Sequence, residues 1–521
     1  MKYSFFKSKK IILAAFLLGA SFLFAEENLS EQNFVIIEAK HNYNLNPKTA
    51  NYSAEAQILT GLYEGLFSYD PITLEPVYAM AKNYRISRDK KRWTFELREG
   101  LKFSNGEDIT AEKIRSSFIS LLATPDAPYS SLLDIVQGAE EFRTNKGSAE
   151  NVEIYATDEN TISFHLKTPA SHLPKILCMP SFAVTAENPS VFSGPFCLAE
   201  LDEEKIILEK NKNYYDSENT KLDKITILLS NDGAENVFAF NTGSADWIAS
   251  SFDEKTLILK DSIHLSAEFA TQYFFFKFSE DSVFNNLNLR RALLEATPWD
   301  ELRANTYVQA QSLVYALNGY PKVEGYSFTD IREAKILMNE ARNELSLPEE
   351  EIIKIRFAIT DTDYMKKKAE LLKNAWEPLG IQFETVFFPE YEYLNKITET
   401  DADLFSYNWI GDFADPLAFL ELFRGNSTMN VTGWNSKEFN DLLDEAALYT
   451  DERHNEILAK AEQLLLDNAV IIPVQHPVSV NVINLEETGG WAINAFDIHP
   501  LKYLFKRENT SSDIPNIALL R

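Results

Sequence analysis

The chain has 521 residues, with 78 acidic and 50 basic side chains and a formal net charge of −28. Such acidity repels phosphate backbones, which proteins bind through clustered Lys and Arg, so nucleic acid is excluded as a partner. Apolar residues make up 45% of the chain, which excludes general disorder. We interpret the negative charge mainly as a feature that keeps the protein soluble, and as a weak long-range attraction for cationic ligands.

The N-terminus predicts export. Four lysines between positions 2 and 10 precede an uncharged apolar run over residues 11–24, and the small Ala25 stands before two glutamates. This pattern is typical of a cleaved signal peptide, residues 1–25. The run is short of the roughly 20 residues that a membrane span needs. With no Cys at the cleavage point to carry a lipid, we predict a soluble monomer in a bacterial periplasm.

Strand and helix patterns alternate along the mature chain, and its length predicts two or three domains. Strands are expected at residues 33–39, 66–69, 93–98, 160–166, 205–208, 224–229, 272–278, 354–358 and 470–473, with another beginning at 193–196. Helices are expected around Ile58, from Thr110, through Val237, and at residues 288–296, 366–379 and 453–467. The three lysines 366–368 are interpreted as a solvated helix face.

Residues that could carry chemistry are sparse. Cys178 and Cys197 are the only cysteines, so a disulfide between them and two free buried thiols both remain open. The seven histidines are scattered without paired spacing, so no metal site is predicted. Nucleophile and metalloprotease motifs are absent from the sequence, so we predict neither an enzyme nor a cofactor.

The most informative stretch is residues 409–416 (WIGDFADP), which follows the strand-like run at 404–407 and precedes an apolar helix pattern from Leu417. An aromatic, a Gly and two carboxylates at a strand end place a charge on a rigid element beside a flat apolar surface, which suits capture of an ammonium ion. Alternatively, Trp409 is a core residue and Asp412 and Asp415 cap the helix.

Several segments, taken in order, resemble the bacterial extracellular solute-binding proteins of the peptide class, the oligopeptide- and dipeptide-binding components of ABC importers. The segments are residues 62–67 (LYEGLF), 93–106 (WTFELREGLKFSNG), 194–196 (GPF), 211–215 (NKNYY), 289–293 (LRRAL), 376–381 (WEPLGI), 409–416 and 461–465 (AEQLL). Each segment alone is weak evidence for the family. The resemblance depends on their order along nearly the whole mature chain.

The resemblance implies an α/β fold, the two-lobe periplasmic-binding-protein fold with a third, inserted α+β domain and a two-strand hinge. It divides the mature chain into a first lobe (26–61, 188–272 and 489–521), an inserted domain (62–187) and a second lobe (273–488). Ligand would lie between the lobes, which close by a hinge motion. A peptide ligand would add its backbone as an extended strand, with water-filled pockets for its side chains.

By the same resemblance, Asp412 would accept the α-ammonium group of the ligand and Trp409 would flank that subsite. The other ligand-binding candidates are Ser406, Tyr407, Phe274, Tyr364 and Tyr129. In related proteins a basic residue and a His are expected at the positions of Ser406 and Tyr364. The resemblance therefore does not predict a residue of this chain that binds the carboxylate of the ligand. With Phe274 in place of a hydroxylated ring, these departures predict a more apolar cleft, or a ligand that is shorter, modified or not a peptide.

The leading hypothesis is a binding protein that delivers peptides to an inner-membrane ABC permease. A binder of a nickel chelate, haem, sugar or another solute on the same fold is the alternative, and a secreted peptidase is a third.

Overall fold

The computed structural model describes residues 32–315, 317, 319–449 and 451–507. The predicted signal peptide and the last 14 residues of the predicted first lobe lie outside the described residues. Two large mixed sheets and one smaller antiparallel sheet organise the described chain. Most of the strands expected from the sequence are present, with bounds shifted by one to three residues.

The first large sheet has seven strands within the described residues. In spatial order they are Ile263–Ala267, Val478–Ile483, Trp247–Ile248, Asn33–Glu38, Lys224–Leu229, Lys205–Lys210 and Phe196–Leu201. Asn33–Glu38 lies parallel to Lys224–Leu229 and forms the centre of the sheet. Helix Ser53–Leu62 packs Ile58, Leu59 and Leu62 into the core beside it, as the apolar spacing predicts.

The second large sheet has six strands in the described chain. Their spatial order is Val308–Gln309, Ile471–His476, Ala270–Phe276, Leu404–Ile410, Ile353–Thr360 and Ile381–Phe388. Three longer helices belong to the same region: Leu287–Ala296, Ile331–Leu345 and Asp363–Trp376. Helix Asp363–Trp376 begins three residues before its predicted start at residue 366. Its N-cap is Thr362, whose hydroxyl accepts a hydrogen bond from the Met365 amide.

The smaller sheet orders Ala81–Ile86, Arg92–Leu97, Thr161–His165 and Ile154–Asp158, and helix Ala111–Leu122 covers it. Two strand pairs, Phe67–Tyr69 with Pro76–Tyr78 and Thr488–Gly489 with Phe505–Lys506, complete the described sheets. The remaining α-helices are Ala139–Arg143, Leu173–Ile176, Gly233–Asn241, Trp299–Leu302, Glu390–Lys396, Leu417–Leu420, Lys437–Ala446 and Glu452–Asp467.

The chain passes between the two large sheets twice. Ile263–Ala267 leads directly into Ala270–Phe276, and Ile471–His476 leads into Val478–Ile483. The two passages run side by side, since the Glu268 amide donates to the Pro477 carbonyl at 3.1 Å. Val478–Ile483 pairs with Ile263–Ala267, so it belongs to the first sheet although the predicted boundaries assign it to the second lobe. Within the described residues, these two passages connect the two large sheets, which is the arrangement expected of a two-strand hinge.

One sequence interpretation changes, and one question that the sequence left open is answered. Lys368 is not on a solvated helix face: it is 4% exposed, and its ammonium donates to the carbonyls of Leu302 and Ala304. Burial lowers its pKa. Both cysteines are free thiols, with Cys178 buried and Cys197 half-buried. Of the two possibilities that the sequence left open, a disulfide and two free thiols, the structure has the free thiols.

Candidate functional site: a cavity between the lobes

Strand Leu404–Ile410 and the loop after it build one wall of the site. The strand pairs antiparallel with Ala270–Phe276 along its whole length. It continues to Gly411, whose amide donates to the Phe269 carbonyl at 2.7 Å. A Cβ at Gly411 would lie 2.5 Å from the Phe269 ring, so only glycine allows this close approach. The chain then turns at Asp412.

The loop is anchored on both sides of Asp412. Phe413 is buried, with its ring parallel to that of His172 at 6.1 Å. Asp415 accepts a hydrogen bond from the Leu417 amide at the start of helix Leu417–Leu420 and pairs with His454 at 3.1 Å. Burial opposes ionisation of Asp415, but the His454 contact lowers its pKa below the usual value. Asp415 therefore has the structural role that the alternative interpretation gave it, although the N-cap residue of the helix is Pro416.

Asp412 is in a different environment. Its backbone carbonyl accepts a hydrogen bond from the Tyr69 hydroxyl at 2.9 Å, while its carboxylate has no hydrogen bond or ion pair to any described residue. Part of its surface faces a cavity of about 420 Å³. Burial raises the pKa of this carboxyl to about 7. A carboxylate in this position gains stability from a cation placed in the cavity.

Aromatic side chains surround Asp412. The rings of Tyr407 and Trp409 lie parallel with centroids 6.2 Å apart, and Tyr129 lies 6.2 Å from Trp409. Burial, and next the Asp412 charge, raise the pKa values of Tyr129 and Tyr407, so these phenols stay neutral. Trp409 is 8% exposed and donates to the Ala418 carbonyl at 2.8 Å. It is thus a packed residue that also lines the cavity. Aromatic faces near an acid favour an ammonium ligand.

The cavity lies between the two large sheets and the inserted region. Its lining comes from five parts of the chain: residues 50–59, Tyr69 and Tyr129, residues 179–181, the second sheet with its helices, and residues 477–498. Tyr69, Gln272, Tyr393 and Gln475 line it and were not among the sequence candidates. A glutamine inside the apolar strand Ile471–His476 is a signal that could have pointed to Gln475. No comparable signal marks Tyr69.

The candidates from the sequence divide into two groups. Asp412, Trp409, Tyr407, Ser406 and Tyr129 line the cavity together. Tyr364 does not line it, but its hydroxyl donates to Gln272, which does. Phe274 is fully buried in the core of the second sheet, 4.9 Å from the Phe357 ring, and the expected contact with ligand does not fit this position.

One edge of strand Leu404–Ile410 is open along the cavity. Ile353–Thr360 pairs with it only at Leu404 and Phe405. The Tyr393 hydroxyl then stands between the two strands, accepting from the Ser406 amide at 2.9 Å and donating to the Ala358 carbonyl. Because backbone groups alternate along a strand, those of Asn408 and Ile410 face the same open edge as the Ser406 amide.

The inserted region and the second lobe contact each other directly. The Thr428 hydroxyl donates to the Pro128 carbonyl and lies 2.9 Å from the Ser131 hydroxyl, and the Thr428 amide donates to the Ser131 hydroxyl at 3.1 Å. Nearby, Asn426 donates to Glu140 at 2.8 Å and its carbonyl accepts from Arg143. These contacts join the inserted region to the second lobe beside the cavity.

Two lobes joined by two adjacent passages, with an enclosed cavity between them, define a hinged solute-binding protein. The family model of the bacterial extracellular solute-binding proteins, family 5, matches residues 75–431. The chain therefore belongs to that family, which confirms the resemblance and the predicted fold. None of the described helices is long and apolar enough to cross a membrane.

Individual relatives agree with the family. The oligopeptide-binding protein OppA of Bacillus subtilis is 28% identical over 464 residues, 83% of this chain and 85% of that protein. The crystal structure of Haemophilus influenzae OppA in complex with the peptide RPPGFSPFR has a TM-score of 0.80 at 20% identity, covering 92% of this chain and 99% of that one.

A third comparison concerns the arrangement of the lobes. The murein tripeptide binding protein MppA of Escherichia coli has a TM-score of 0.80 at 19% identity, covering 92% of this chain and 99% of that one. A structure of the MppA murein tripeptide binding protein in an unliganded open form gives a TM-score of 0.63 at 19% identity, covering 92% of this chain and 98% of that one. The lobes of this chain are thus arranged unlike those of that open form.

Proposed function

We propose that this chain captures peptides in the cavity between its lobes, with the free α-ammonium group of the peptide held by Asp412. The single observation that carries the proposal is the Asp412 carboxylate, which faces the cavity without a partner among the described residues. A charge-assisted hydrogen bond to an ammonium group would supply that partner. The rings of Trp409, Tyr407 and Tyr129 would flank the cation.

The open edge of strand Leu404–Ile410 supports a peptide over other cationic solutes. An extended peptide can add to that edge through backbone hydrogen bonds with Asn408 and Ile410, which gives affinity that does not depend on ligand side chains. The alternatives, a nickel chelate, haem or a sugar, would make no comparable use of a strand edge.

Transport follows from this role. A peptide held between closing lobes is handed to an inner-membrane ABC permease, and the chain itself performs no chemistry on it. Export through the signal peptide of residues 1–25 would bring a monomeric protein to the periplasm. For the lobes we propose the sequence-based boundaries with one change, in which residues 477–488 join the first lobe because Val478–Ile483 pairs there.

The test is the variant Asp412→Ala. Truncating one partner of an enclosed charged pair is expected to weaken binding of a tripeptide by about 2–5 kcal/mol, measured by calorimetry. The control Glu390→Ala removes an exposed acid at the cavity rim and should change affinity by less than about 1 kcal/mol.

A second arm uses the N-acetylated tripeptide, which has no ammonium group and should bind the wild type and Asp412→Ala about equally weakly. A variant affinity within twofold of wild type for the free-amine peptide would contradict the role of Asp412. Mass spectrometry of ligand retained through purification provides an independent check, and a retained nickel chelate, haem or sugar would contradict the peptide assignment.

A further inference from the structure

The charge of the cavity lining is one-sided. Asp412 and Glu390 line the cavity, while no Lys, Arg or His is found among the described residues of the lining. A ligand anion in this space would meet two acids and no compensating cation. Burying a charge without a partner costs more than burying a neutral hydrogen-bonding group.

The lining carries a cluster of neutral polar groups at Gln272, which pairs opposite Asn408 on the neighbouring strand. Gln272 Oε1 accepts from the Tyr364 hydroxyl at 2.9 Å and from Gln475 Nε2 at 2.8 Å. Gln272 Nε2 is directed at the Met365 sulfur, 3.8 Å away, and the Ser406 hydroxyl at the same sulfur, 3.9 Å away. One N–H of each glutamine and the hydroxyls of Tyr364 and Ser406 are therefore directed at protein acceptors, and the cluster as a whole is neutral.

Gln475 Oε1 is left as an acceptor with no partner among the described residues, and Gln475 lines the cavity. An acceptor in this position matches a donor on the ligand. An amide N–H provides one, whereas a carboxylate at neutral pH provides none.

The cluster and Asp412 are separated along the ligand-facing strand. Gln272 and Gln475 are in register with Asn408, which is two residues or about 7 Å from Ile410 in an extended strand, and Ser406 is four residues or about 13 Å from Ile410. A short peptide whose ammonium group is at Asp412 would therefore bring its other end near the cluster of Gln272, Gln475 and Ser406.

The neighbouring space offers no anchor either. A second cavity of about 650 Å³ shares Tyr129, Tyr407 and Trp409 with the first. Its charged lining residues within the described chain are Asp126 and Arg143. Arg143 already donates two hydrogen bonds to Asp134, so its charge is compensated.

We infer that this chain selects ligands that place an ammonium group at Asp412 and an amide N–H, not a carboxylate, at the Gln475 end of the cavity. This inference rests on the proposed function and names its ligand class. The amide has two sources. It is either the carboxamide of a C-terminally blocked short peptide or an internal peptide bond of a longer one.

The experiment compares matched peptides by calorimetry at pH 7.5. Tri-alanine as free acid and as carboxamide forms the first pair, and penta-alanine in the same two forms is the second. The tripeptide carboxamide is expected to bind about tenfold or more tightly than the free acid, because only the acid brings an unpaired charge into the cavity. In the longer pair, a ratio near one identifies an internal amide, and a retained preference identifies a blocked end.

Gln475→Lys tests the position by adding a cation, with the neutral Gln475→Met as its matched control. The lysine is expected to raise the affinity of the tripeptide acid relative to the amide, and the methionine is expected to leave the amide preferred. If the lysine variant fails to fold, the wild-type pair still decides.

A wild-type tripeptide acid that binds as tightly as the amide, or more tightly, overturns the inference while leaving the proposed function in place. Absence of binding for all four peptides overturns the proposed function, and the inference with it.

Discussion

At the scale of single residues, Asp412 and Asp415 differ although they stand three positions apart. Asp415 accepts from the helix start and pairs with His454, which lowers its pKa. Asp412 has no such partner, and burial raises its pKa to about 7. The Asp415 carboxylate therefore maintains the local structure, and the Asp412 carboxylate has no partner among the described residues.

The raised pKa of Asp412 predicts a bell-shaped dependence of peptide affinity on pH. Below about pH 7 the empty site holds a proton that an ammonium group must displace, so affinity should fall about tenfold per pH unit. Above about pH 8 the α-amino group of the peptide loses its own proton, and affinity should fall again. Calorimetry from pH 5 to 9 measures both limbs.

Two further measurements distinguish titration of the Asp412 carboxyl from titration of the α-amino group of the peptide. Asp412→Asn should remove the acidic limb while keeping the basic one. A ligand with a quaternary ammonium group in place of the amine should remove the basic limb. Constant affinity of the wild type between pH 5 and 7 would be incompatible with an ammonium ligand at Asp412.

Single residues also show where a sequence stops being informative. Lys368 sits on an amphipathic helix pattern that predicts solvent, but its partners, the carbonyls of Leu302 and Ala304, are more than sixty positions away. Phe274 belongs to a strand buried on both faces, so the alternation of residues cannot tell which side meets the cavity. For Asp412 the sequence left two interpretations open, a helix cap and a ligand site, and the structure shows no capping hydrogen bond to its carboxylate among the described residues.

At the scale of elements, strand Leu404–Ile410 combines a paired edge and an open one. The Tyr393 hydroxyl ends the pairing with Ile353–Thr360 by bonding to Ser406 on one side and Ala358 on the other. The remaining length of the strand, past Ser406, faces the cavity. The strand was predictable from its apolar residues. Its open edge depends on Tyr393 in helix Glu390–Lys396, and this helix was not predicted from the sequence.

Strand addition predicts sensitivity to backbone methylation. N-methylating one amide of the bound tripeptide, at a position that faces Asn408 or Ile410, should weaken binding by about 0.5–1.5 kcal/mol, the value of one hydrogen bond. Methylating each amide in turn and measuring affinity by calorimetry identifies the positions. Matched peptides with an added side-chain methyl group control for size. Equal affinity for all isomers would argue against strand addition.

At the scale of the whole molecule, the enclosed arrangement depends on contacts far from Asp412. The hydroxyl of Ser131, in the inserted region, accepts a hydrogen bond from the Thr428 amide and lies 2.9 Å from the Thr428 hydroxyl and 3.3 Å from the Ser427 hydroxyl. Ser131 does not line either cavity. Such a contact acts on the balance between open and closed lobes, which sets the apparent affinity for any ligand.

Ser131→Ala should therefore weaken binding of two peptides of different size by the same factor, worth about 0.5–1.5 kcal/mol. X-ray scattering should show a larger mean radius of gyration for the ligand-free variant than for wild type. Ser251→Ala, which removes a hydroxyl from the first lobe, is the control and should change neither quantity. A loss confined to one peptide would indicate direct contact and contradict a role in closure.

Most strands and helices could be predicted from the sequence, because apolar spacing and turn residues are local properties, whereas the two-lobe fold was implied by the resemblance to the family. It did not predict which side chains meet in the cavity, because Tyr69, Gln272 and Gln475 come from segments separated by some 200 positions each. Their meeting is a property of the closed fold rather than of any stretch of chain.

The way the first sheet is assembled has a consequence for synthesis. Its central strand, Asn33–Glu38, pairs with Lys224–Leu229 and Trp247–Ile248, and the latter pairs with Val478–Ile483. Contacts this distant in sequence form slowly. A nascent chain still on the ribosome lacks the last of these strands until nearly all of it has been made. The sheet therefore stays incomplete through most of translation, which would suit the proposed export of the unfolded chain across a membrane.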